Sequence, residues 1–216
     1  MAGRRSPGGG AVVREAGLLG PALLLAGGRS RRMGTDKAAL PWNGATLLES
    51  IAGVLAARFH PVVVVGGPPR TLPGLKFIPD DFPGEGPLGG LLTGLNFAGA
   101  AAFVCACDMP FADANCAALL WRRRGQADAA VPVTAAGPQP LFACYGGQSL
   151  AKLQHAWREG ERSMRGALRR LDVAWVGDME LSDFKEACFR NANTPDDYAD
   201  VLATAERELT KSKAIS

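Results

Sequence analysis

Residues 22–37 read ALLLAGGRSRRMGTDK, an apolar run followed by a loop with two adjacent glycines, three arginines and a lysine. The run from Ala22 to Leu25 is short enough to form a buried strand. Adjacent glycines let the backbone approach a ligand closely, and their N–H groups can point at anionic oxygens. The basic side chains add charge-assisted hydrogen bonds to phosphate. This stretch therefore predicts a strand that leads into a phosphate-binding loop, and the loop suits a triphosphate.

Strand and helix patterns alternate along the chain. Apolar residues recur at helical spacing from Thr46 to Phe59, and the β-branched run at residues 62–65 is typical of a strand covered on both faces. Pro87 marks the first turn of a later helix, and Thr194 is predicted to cap a last helix that runs to about Leu209. Further strands are predicted at Leu75–Pro79, Ala101–Cys107, Ala127–Val133, Leu141–Tyr145 and Val173–Val176, and further helices at Gln148–Trp157 and Met164–Leu171. The alternation predicts a three-layer α/β/α sandwich with a mainly parallel, Rossmann-like sheet.

Composition and charge argue against several classes of protein. The chain is 47% hydrophobic and 21% charged, as a globular protein is, and a net charge of +3 is too small to indicate nucleic-acid binding. The apolar stretch at residues 16–28 is interrupted by Gly20 and Pro21 and is too short to cross a membrane. Five cysteines without a C-x-x-C pair, together with only two histidines, predict reduced thiols and no transition-metal site. We therefore expect a cytoplasmic protein that binds neither nucleic acid nor membrane.

Two carboxylates follow predicted strands. Asp108 ends the apolar strand in Cys107-Asp108-Met109-Pro110, and Asp80 follows the strand at residues 75–79. Ligands bind at the carboxyl edge of an open α/β sheet, and Mg²⁺ is typically held by one or two carboxylates plus substrate phosphates. Asp108 is therefore a candidate Mg²⁺ ligand, with capping of the following helix as the alternative. Asp80 is likewise a candidate ligand contact at this edge, and the alternative is that it only shapes an ordinary turn after its strand.

Residues 25–37 match the pattern L-A-G-G-x-S-x-R-M-G-x-D-K of nucleotidyltransferases, and the chain resembles the molybdenum cofactor guanylyltransferases over about residues 22–202. The resemblance implies the fold of the nucleotide-diphospho-sugar transferases. It also implies Mg²⁺-dependent transfer of GMP from GTP to the terminal phosphate of molybdopterin, with release of pyrophosphate. The implied partners are GTP, molybdopterin and molybdoenzyme maturation chaperones, and a monomer is expected.

The same resemblance assigns a nucleotide site. Lys37 is implied to contact the triphosphate and Arg32 to bind a second anionic group, while Asp108 holds the metal and contacts the nucleotide. Asp80 is implied to contact the base or the ribose. Guanine is implied to be recognised by the backbone of the first strand and its loop, at Leu25, Ala26 and Gly27, and Gly28 is also implied to bind the nucleotide.

A second group of residues matches segments that similar enzymes use for molybdopterin: Gly90, Arg162, Asn191 and Asn193. Two asparagines at positions i and i+2 of an extended segment share one face, so both amides can meet a pterin edge or its phosphate. The alternative, for at least one of them, is that it shapes the turn before the last helix.

Other functions stay open at this point. Cytidylyltransferases of this type tend to have Ala-Ala-Gly where this chain has Ala26-Gly27-Gly28, and some relatives have a nucleotide-binding asparagine where this chain has Val65. A sugar-phosphate nucleotidyltransferase is a further alternative, against which the ending Asn-x-Asn-Thr-Pro counts. A non-catalytic carrier of nucleotide or cofactor is disfavoured because Lys37 and Asp108 are both retained.

The chain is long enough for one substantial domain. We expect that domain at residues 18–209, with a nucleotide half at about 21–125 and an acceptor-substrate half at about 126–209. The Gly- and Arg-rich residues 1–17 are expected to form a flexible leader, and residues 210–216 a frayed tail.

Overall fold

The structure is a computed structural model, and it describes residues 17–27, 36–69, 72–184 and 186–215. Nearly all of the predicted leader lies outside these residues. Gly28 and Arg32, both assigned to the nucleotide site, also lie outside them.

Ten strands and seven helices make up the described part of the chain. The strands are β1 Ala22–Leu25, β2 Pro41–Trp42, β3 Ala45–Thr46, β4 Val62–Val65, β5 Lys76–Ile78, β6 Ala102–Ala106, β7 Ala129–Thr134, β8 Gly137–Pro138, β9 Phe142–Tyr145 and β10 Val173–Val176. The helices are α1 Leu47–Ala56, α2 Pro87–Ala98, α3 Ala114–Arg123, α4 Ser149–Arg158, α5 Met164–Leu168, α6 Asp178–Leu181 and α7 Pro195–Ile215. Short 3₁₀ helices lie at Lys37–Ala39 and Glu186–Phe189. None of the helices in the described ranges is long and apolar enough to cross a membrane.

The main sheet has the strand order β10-β7-β9-β6-β1-β4-β5, with β8 paired to β7 at one side. Strand β1 is central and pairs in parallel with both β4 and β6, so that Leu25 lies opposite Val65 and Ala106. Strand β9 runs antiparallel to β6 and β7. The carboxyl ends of β1, β4 and β6 therefore meet at one edge of the sheet, and the predicted mainly parallel sheet is confirmed.

Alternate residues of the central strands pack on opposite faces of the sheet, as the pleat requires. Leu24 and Val64 lie in one buried cluster, with side chains from α1 and α3. Leu23 and Val63 lie in the other, with side chains from α2, α4 and α5. The sheet is thus covered on both faces, which is why its central strands have continuous apolar sequences. This arrangement confirms the predicted three-layer α/β/α sandwich.

Helix ends agree with the predictions where a capping residue marks them. Pro87 is the first residue of α2, and the N–H of Asp197 donates to Thr194 Oγ1 (3.1 Å) at the start of α7. Helix α1 ends at Ala56, before the predicted end at Phe59, because Phe59 turns into the core and stacks on Phe103 with 5.2 Å between ring centroids.

The tail predicted to fray from residue 210 is helical as far as Ile215. Residues 206–215 include Glu, Arg, Leu, Lys and Ala, which have high helix propensity, and they include neither Gly nor Pro. The helix ends later than the predicted Leu209 because no helix-breaking residue occurs there, and fraying of the tail stays a prediction.

A hairpin of β2 and β3 was not predicted. Asn43 and Gly44 join its strands with positive φ values of 48° and 80°, a turn for which Asn-Gly is the favoured sequence. Trp42 packs edge-on against Phe111, 5.4 Å between ring centroids, and the Tyr198 hydroxyl donates to Pro41 O. The hairpin therefore connects the segment that carries Lys37 to helix α7.

A buried carboxylate, that of Asp128, links three segments in the second half of the chain through an ion pair with the half-exposed Lys152 and a backbone hydrogen bond. Asp128 is 3% exposed; its Oδ2 accepts from Lys152 Nζ (2.5 Å) and from the N–H of Asp172 (2.8 Å). Burial by itself raises the pKa of Asp128, but these two hydrogen bonds and the positive charge of Lys152 together outweigh it and lower the pKa below its ordinary value. Asp128 thus stabilises the fold above the pKa of an unfolded Asp, about 3.9, and this contribution is lost as the pH falls through the lower folded-state pKa.

We expect Asp128→Ala to lower the free energy of unfolding by about 1–3 kcal/mol near pH 7, because the Asp172 N–H and Lys152 lose their acceptor. Urea unfolding at pH 7 and pH 3 measures this, and the difference between variant and wild type should shrink at pH 3. Glu180→Ala is the matched control, since Glu180 pairs with the half-exposed Arg123 at the surface. Equal losses in the two variants would contradict the assignment.

Candidate active site

A cleft lies at the carboxyl ends of β1 and β6. Most of the residues that the sequence assigned to a ligand site line it: Leu25, Ala26, Gly27, Lys37, Asp108, Asn191 and Asn193. Residues that were not predicted line it as well: Asp36, Pro87, Ala106, Cys107 and Leu141. The fold therefore brings the three segments with predicted site residues into one cleft: the end of β1 with Lys37, the end of β6, and the segment before α7. Pro87 and Leu141 add to its walls from two further segments.

Among the described residues that line this cleft, Lys37 has the one positively charged side chain. Its Nζ donates to Asp108 Oδ2 at 3.0 Å and to Asn193 Oδ1 at 2.8 Å. The side chains of Lys37 and Asp108 are 15% and 16% exposed, so the pair is only partly screened by water. Asp36 sets the start of the 3₁₀ helix that carries Lys37, because its side chain accepts from the N–H of Ala38 (3.1 Å).

Asp108 is held at the sheet edge by backbone contacts on both sides. The N–H of Cys107 donates to Leu25 O (3.0 Å), and the N–H of Ala192 donates to Asp108 O (2.8 Å). Helix α3 begins later, at Ala114, and its cap is Asp113. The alternative in which Asp108 caps that helix is therefore wrong, and its carboxylate faces Lys37 instead.

The two asparagines before α7 have different surroundings. Asn193 Oδ1 accepts from Lys37, whereas Asn191 Oδ1 is buried without a hydrogen-bond partner in the described part of the chain. The N–H groups of Asn193 and Thr194 donate to Asp197 Oδ2 at 3.0 and 2.9 Å. Hydrogen bonds with Thr194, and then with Asn193, lower the pKa of Asp197. Asp197 therefore holds the asparagine segment in place.

Asp80 does not line this cleft but lies beside it, with one carboxylate oxygen in a turn and the other near the end of β1. Its Oδ1 accepts from the N–H of Phe82 (2.9 Å) and lies 3.1 Å from the hydroxyl of Thr93, so this oxygen holds the turn. Its Oδ2 lies 3.5 Å from the position that a Cβ on Gly27 would occupy, at the end of β1. Thr93 was missed by the sequence interpretation because it lies in the buried face of α2, where nothing local marks a polar partner.

Two loops meet closely beside Asp80. A Cβ on Gly66 would lie 3.2 Å from Gly27 Cα, and Gly66 has a φ of +74°, so glycine is required there. Val65, at the position where some relatives have asparagine, is 1% exposed and packs towards Gly94 of α2. The end of β4 therefore contributes backbone, and its last side chain belongs to the core.

Gly90 and Arg162 are not among the residues that line this cleft. Gly90 is buried in α2, where an added Cβ would lie 3.8 Å from Leu25 and 3.9 Å from Asp80 Oδ2. The Arg162 guanidinium lies over the Trp157 ring, 3.8 Å from its centroid, and Nε lies 3.5 Å from Glu85 Oε2. Arg162 thus braces the loop before α2, a tertiary contact that its sequence position does not reveal.

The residues of the cleft fit Mg²⁺ in a substrate-completed site. No cluster of three or more His, Cys, Asp or Glu side chains that would form a metal cage occurs in the described ranges. The cleft instead offers the Asp108 carboxylate. Mg²⁺ needs only one or two carboxylates when substrate phosphates and water supply its other ligands.

A cleft with a lysine–aspartate pair at the carboxyl edge of an open sheet places this chain in the class of α/β proteins that bind ligands at that edge. Residues 22–174 match the family model described as the MobA-like NTP transferase domain, and the chain belongs to this family. The resemblance predicted from residues 25–37 is thereby confirmed.

Individual relatives agree with the family. The chain is 34% identical over 193 residues to a "Probable molybdenum cofactor guanylyltransferase" of Pelotomaculum thermopropionicum, covering 87% of this chain and 94% of the relative. It is 35% identical over 194 residues to a protein of the same name from Chloroflexus aggregans, covering 84% and 92%. Among solved structures, molybdopterin-guanine dinucleotide biosynthesis protein A from Archaeoglobus fulgidus has a TM-score of 0.70 at 27% identity, covering 88% of this chain and 99% of that one.

Proposed function

We propose that this protein transfers GMP from GTP to the terminal phosphate of molybdopterin, forming molybdopterin guanine dinucleotide and pyrophosphate. The observation that carries the proposal is the single cleft in which the end of β1, the Lys37–Asp108 pair and Asn191 meet. Relatives named as molybdenum cofactor guanylyltransferases, similar over most of both chains, support the same reaction.

In the proposed reaction, a phosphate oxygen of molybdopterin attacks the α-phosphorus of GTP. A new P–O bond forms, the bond between the α-phosphorus and the bridging oxygen breaks, and pyrophosphate leaves with the electron pair. Lys37 binds the triphosphate and neutralises charge that develops on it. Asp108 would hold Mg²⁺, which when bound would supply Lewis-acid stabilisation of the phosphate oxygens. The protein contributes mainly position and charge.

Guanine recognition is proposed at the end of β1. The backbone of residues 25–27 lines the cleft, and Asp80 Oδ2 lies next to Gly27. A carboxylate accepts hydrogen bonds from guanine N1–H and N2–H₂ or from ribose hydroxyls. Asn191, with its unpaired buried oxygen, is the proposed contact for the N–H groups of the pterin. Gly90 and Arg162 stay predicted contacts of molybdopterin, although neither lines this cleft.

The proposal includes a monomeric enzyme in the cytoplasm that passes its product to molybdoenzyme maturation chaperones. All five cysteines are buried and none forms a disulfide in the described residues, which suits a reducing compartment.

Pyrophosphate release with each of the four nucleoside triphosphates, with and without molybdopterin, tests the proposal. We expect release with GTP and Mg²⁺ only when molybdopterin is present. Faster release with CTP would assign a cytidylyltransferase instead. Release with a sugar 1-phosphate as acceptor would assign a sugar-phosphate enzyme, and GTP binding without release under any condition would assign a carrier.

Gly27 is expected to set nucleotide preference. A Cβ on Gly27 would lie 3.5 Å from Asp80 Oδ2, an ordinary contact, so Gly27→Ala should fold, but its methyl group occupies the space beside the proposed base contact. We expect kcat/KM with GTP to fall about tenfold while that with CTP changes less. Gly53→Ala is the control, because Gly53 lies in α1 with nothing within 4 Å of an added Cβ. An unchanged ratio of GTP to CTP activity in Gly27→Ala would refute this role.

A further inference from the structure

The side chain of Asn193 contacts Lys37, on the side of the cleft that is proposed to bind the nucleotide. Lys37 Nζ lies 2.8 Å from Asn193 Oδ1 and 3.0 Å from Asp108 Oδ2, so the ammonium sits between an amide and a carboxylate. These partners lie 156 and 71 residues from Lys37 along the chain. The amide oxygen that the family resemblance offers to molybdopterin is therefore bonded to the lysine in this structure.

The backbone around Asn193 is held from both directions. Its own N–H donates to Asp197 Oδ2 in the first turn of α7, at 3.0 Å. The N–H of the preceding Ala192 donates to Asp108 O at 2.8 Å. The amide oxygen thus reaches Lys37 from a segment tied both to α7 and to the end of β6, which makes it a preorganised acceptor.

Charge explains why an amide suits this position. Asp108 supplies one negative charge to Lys37, whereas Asn193 supplies an oriented dipole and no net charge. The amide therefore directs the ammonium without neutralising it further, and Lys37 stays attractive to phosphate. A second carboxylate at this position would compete with the triphosphate for the lysine.

We infer that Asn193 is a positioning residue for Lys37 on the nucleotide side of the site, and that contact with the acceptor falls to Asn191. The two asparagines of the segment before α7 then have different roles. The inference rests on the proposed function in that Lys37 binds the triphosphate. The contrast between their oxygens supports it, since Asn193 Oδ1 is bonded to Lys37 and Asn191 Oδ1 is buried and unpaired in the described residues.

A double-mutant cycle on nucleotide binding tests the inference. The dissociation constant of a non-hydrolysable GTP analogue is measured by calorimetry without molybdopterin, for Asn193→Ala, Lys37→Ala and the double variant. Asn193→Ala is expected to weaken binding about tenfold, the worth of one hydrogen bond to a charged group. The double variant should bind no more weakly than Lys37→Ala alone, because Asn193 acts through Lys37. Asn193→Asp should weaken binding more than Asn193→Ala.

Asn191→Ala provides the comparison, with an analogue dissociation constant expected within about twofold of wild type and a raised KM for molybdopterin. Thermal unfolding of each variant separates these effects from loss of the fold. Additive effects in the cycle, or a wild-type dissociation constant in Asn193→Ala together with a raised KM for molybdopterin, would overturn the inference. If CTP proves to be the substrate, the cycle is run with the CTP analogue, so failure of the guanylyl assignment stays distinguishable from failure of the positioning role.

Discussion

Asp108→Asn is expected to lower kcat for pyrophosphate release by about a thousandfold at saturating GTP and molybdopterin. The substitution keeps the shape of the side chain and removes its charge. Asp108 is 16% exposed and is the carboxylate bonded to Lys37, so its loss removes both the proposed metal ligand and the partner of the lysine. A higher Mg²⁺ concentration for half-maximal rate should accompany the loss, since one ligand is weaker.

Asp113→Asn is the matched control for this variant. Asp113 lies in the same connection between β6 and α3, where its side chain caps the helix by accepting from the N–H groups of Asn115 and Cys116, both at 2.8 Å. Asparagine is also a good helix cap, so stability and kcat should both stay near wild type. A rate for Asp108→Asn within about threefold of that control would remove Asp108 from the proposed mechanism.

Lys37→Ala is expected to lower kcat/KM for GTP by about a hundredfold or more, since a lysine that binds phosphate contributes charge in both the bound and the transition state. The variant also leaves Asp108 without its cation at 3.0 Å, which adds repulsion between the carboxylate and the triphosphate. Both the KM for GTP and kcat should therefore change. Steady-state kinetics at fixed molybdopterin and Mg²⁺ measure the two parameters separately.

Lys76→Ala controls for the loss of one positive charge. Lys76 lies on β5 over the Phe97 ring, 4.4 Å from its centroid, and does not line the cleft. The kcat and KM of Lys76→Ala should match those of the wild type. Comparable changes in Lys37→Ala and Lys76→Ala would show that the effect comes from net charge, and a specific triphosphate contact by Lys37 would then be excluded.

Strands and helix starts were predictable because local chemistry encodes them. The apolar runs of β1, β4 and β6 have no polar alternation, which two covered faces require. Pro87 and Thr194 mark helix starts through backbone and side-chain chemistry that acts within one turn. The end of α7 was misplaced because no comparable stop signal exists there.

Some side-chain contacts in and near the site could not be predicted from the sequence, because they depend on how helices and strands pack together. Arg162, which stays a predicted contact of molybdopterin, lies over Trp157 beside Glu85, and its position in the chain did not indicate these contacts. The hydroxyl of Thr93 reaches Asp80 only because α2 packs beside the end of β5. Such contacts join residues on different elements, and hydrophobic periodicity carries no information about them.

The sequence by itself determined the family and the alternation of strands and helices, because an apolar strand and its glycine loop are local patterns. The resemblance to the family then implied that Lys37 and Asp108 belong to one site. Only the tertiary structure decided which groups meet there. It paired Lys37 with Asn193 across 156 residues, and it left Asn191 Oδ1 buried and unpaired within the described part of the chain. Hydrogen-bond partners at such separation are set by the order of strands in the sheet and by the path of the segment before α7, and distances between packed elements exist only once the core has formed.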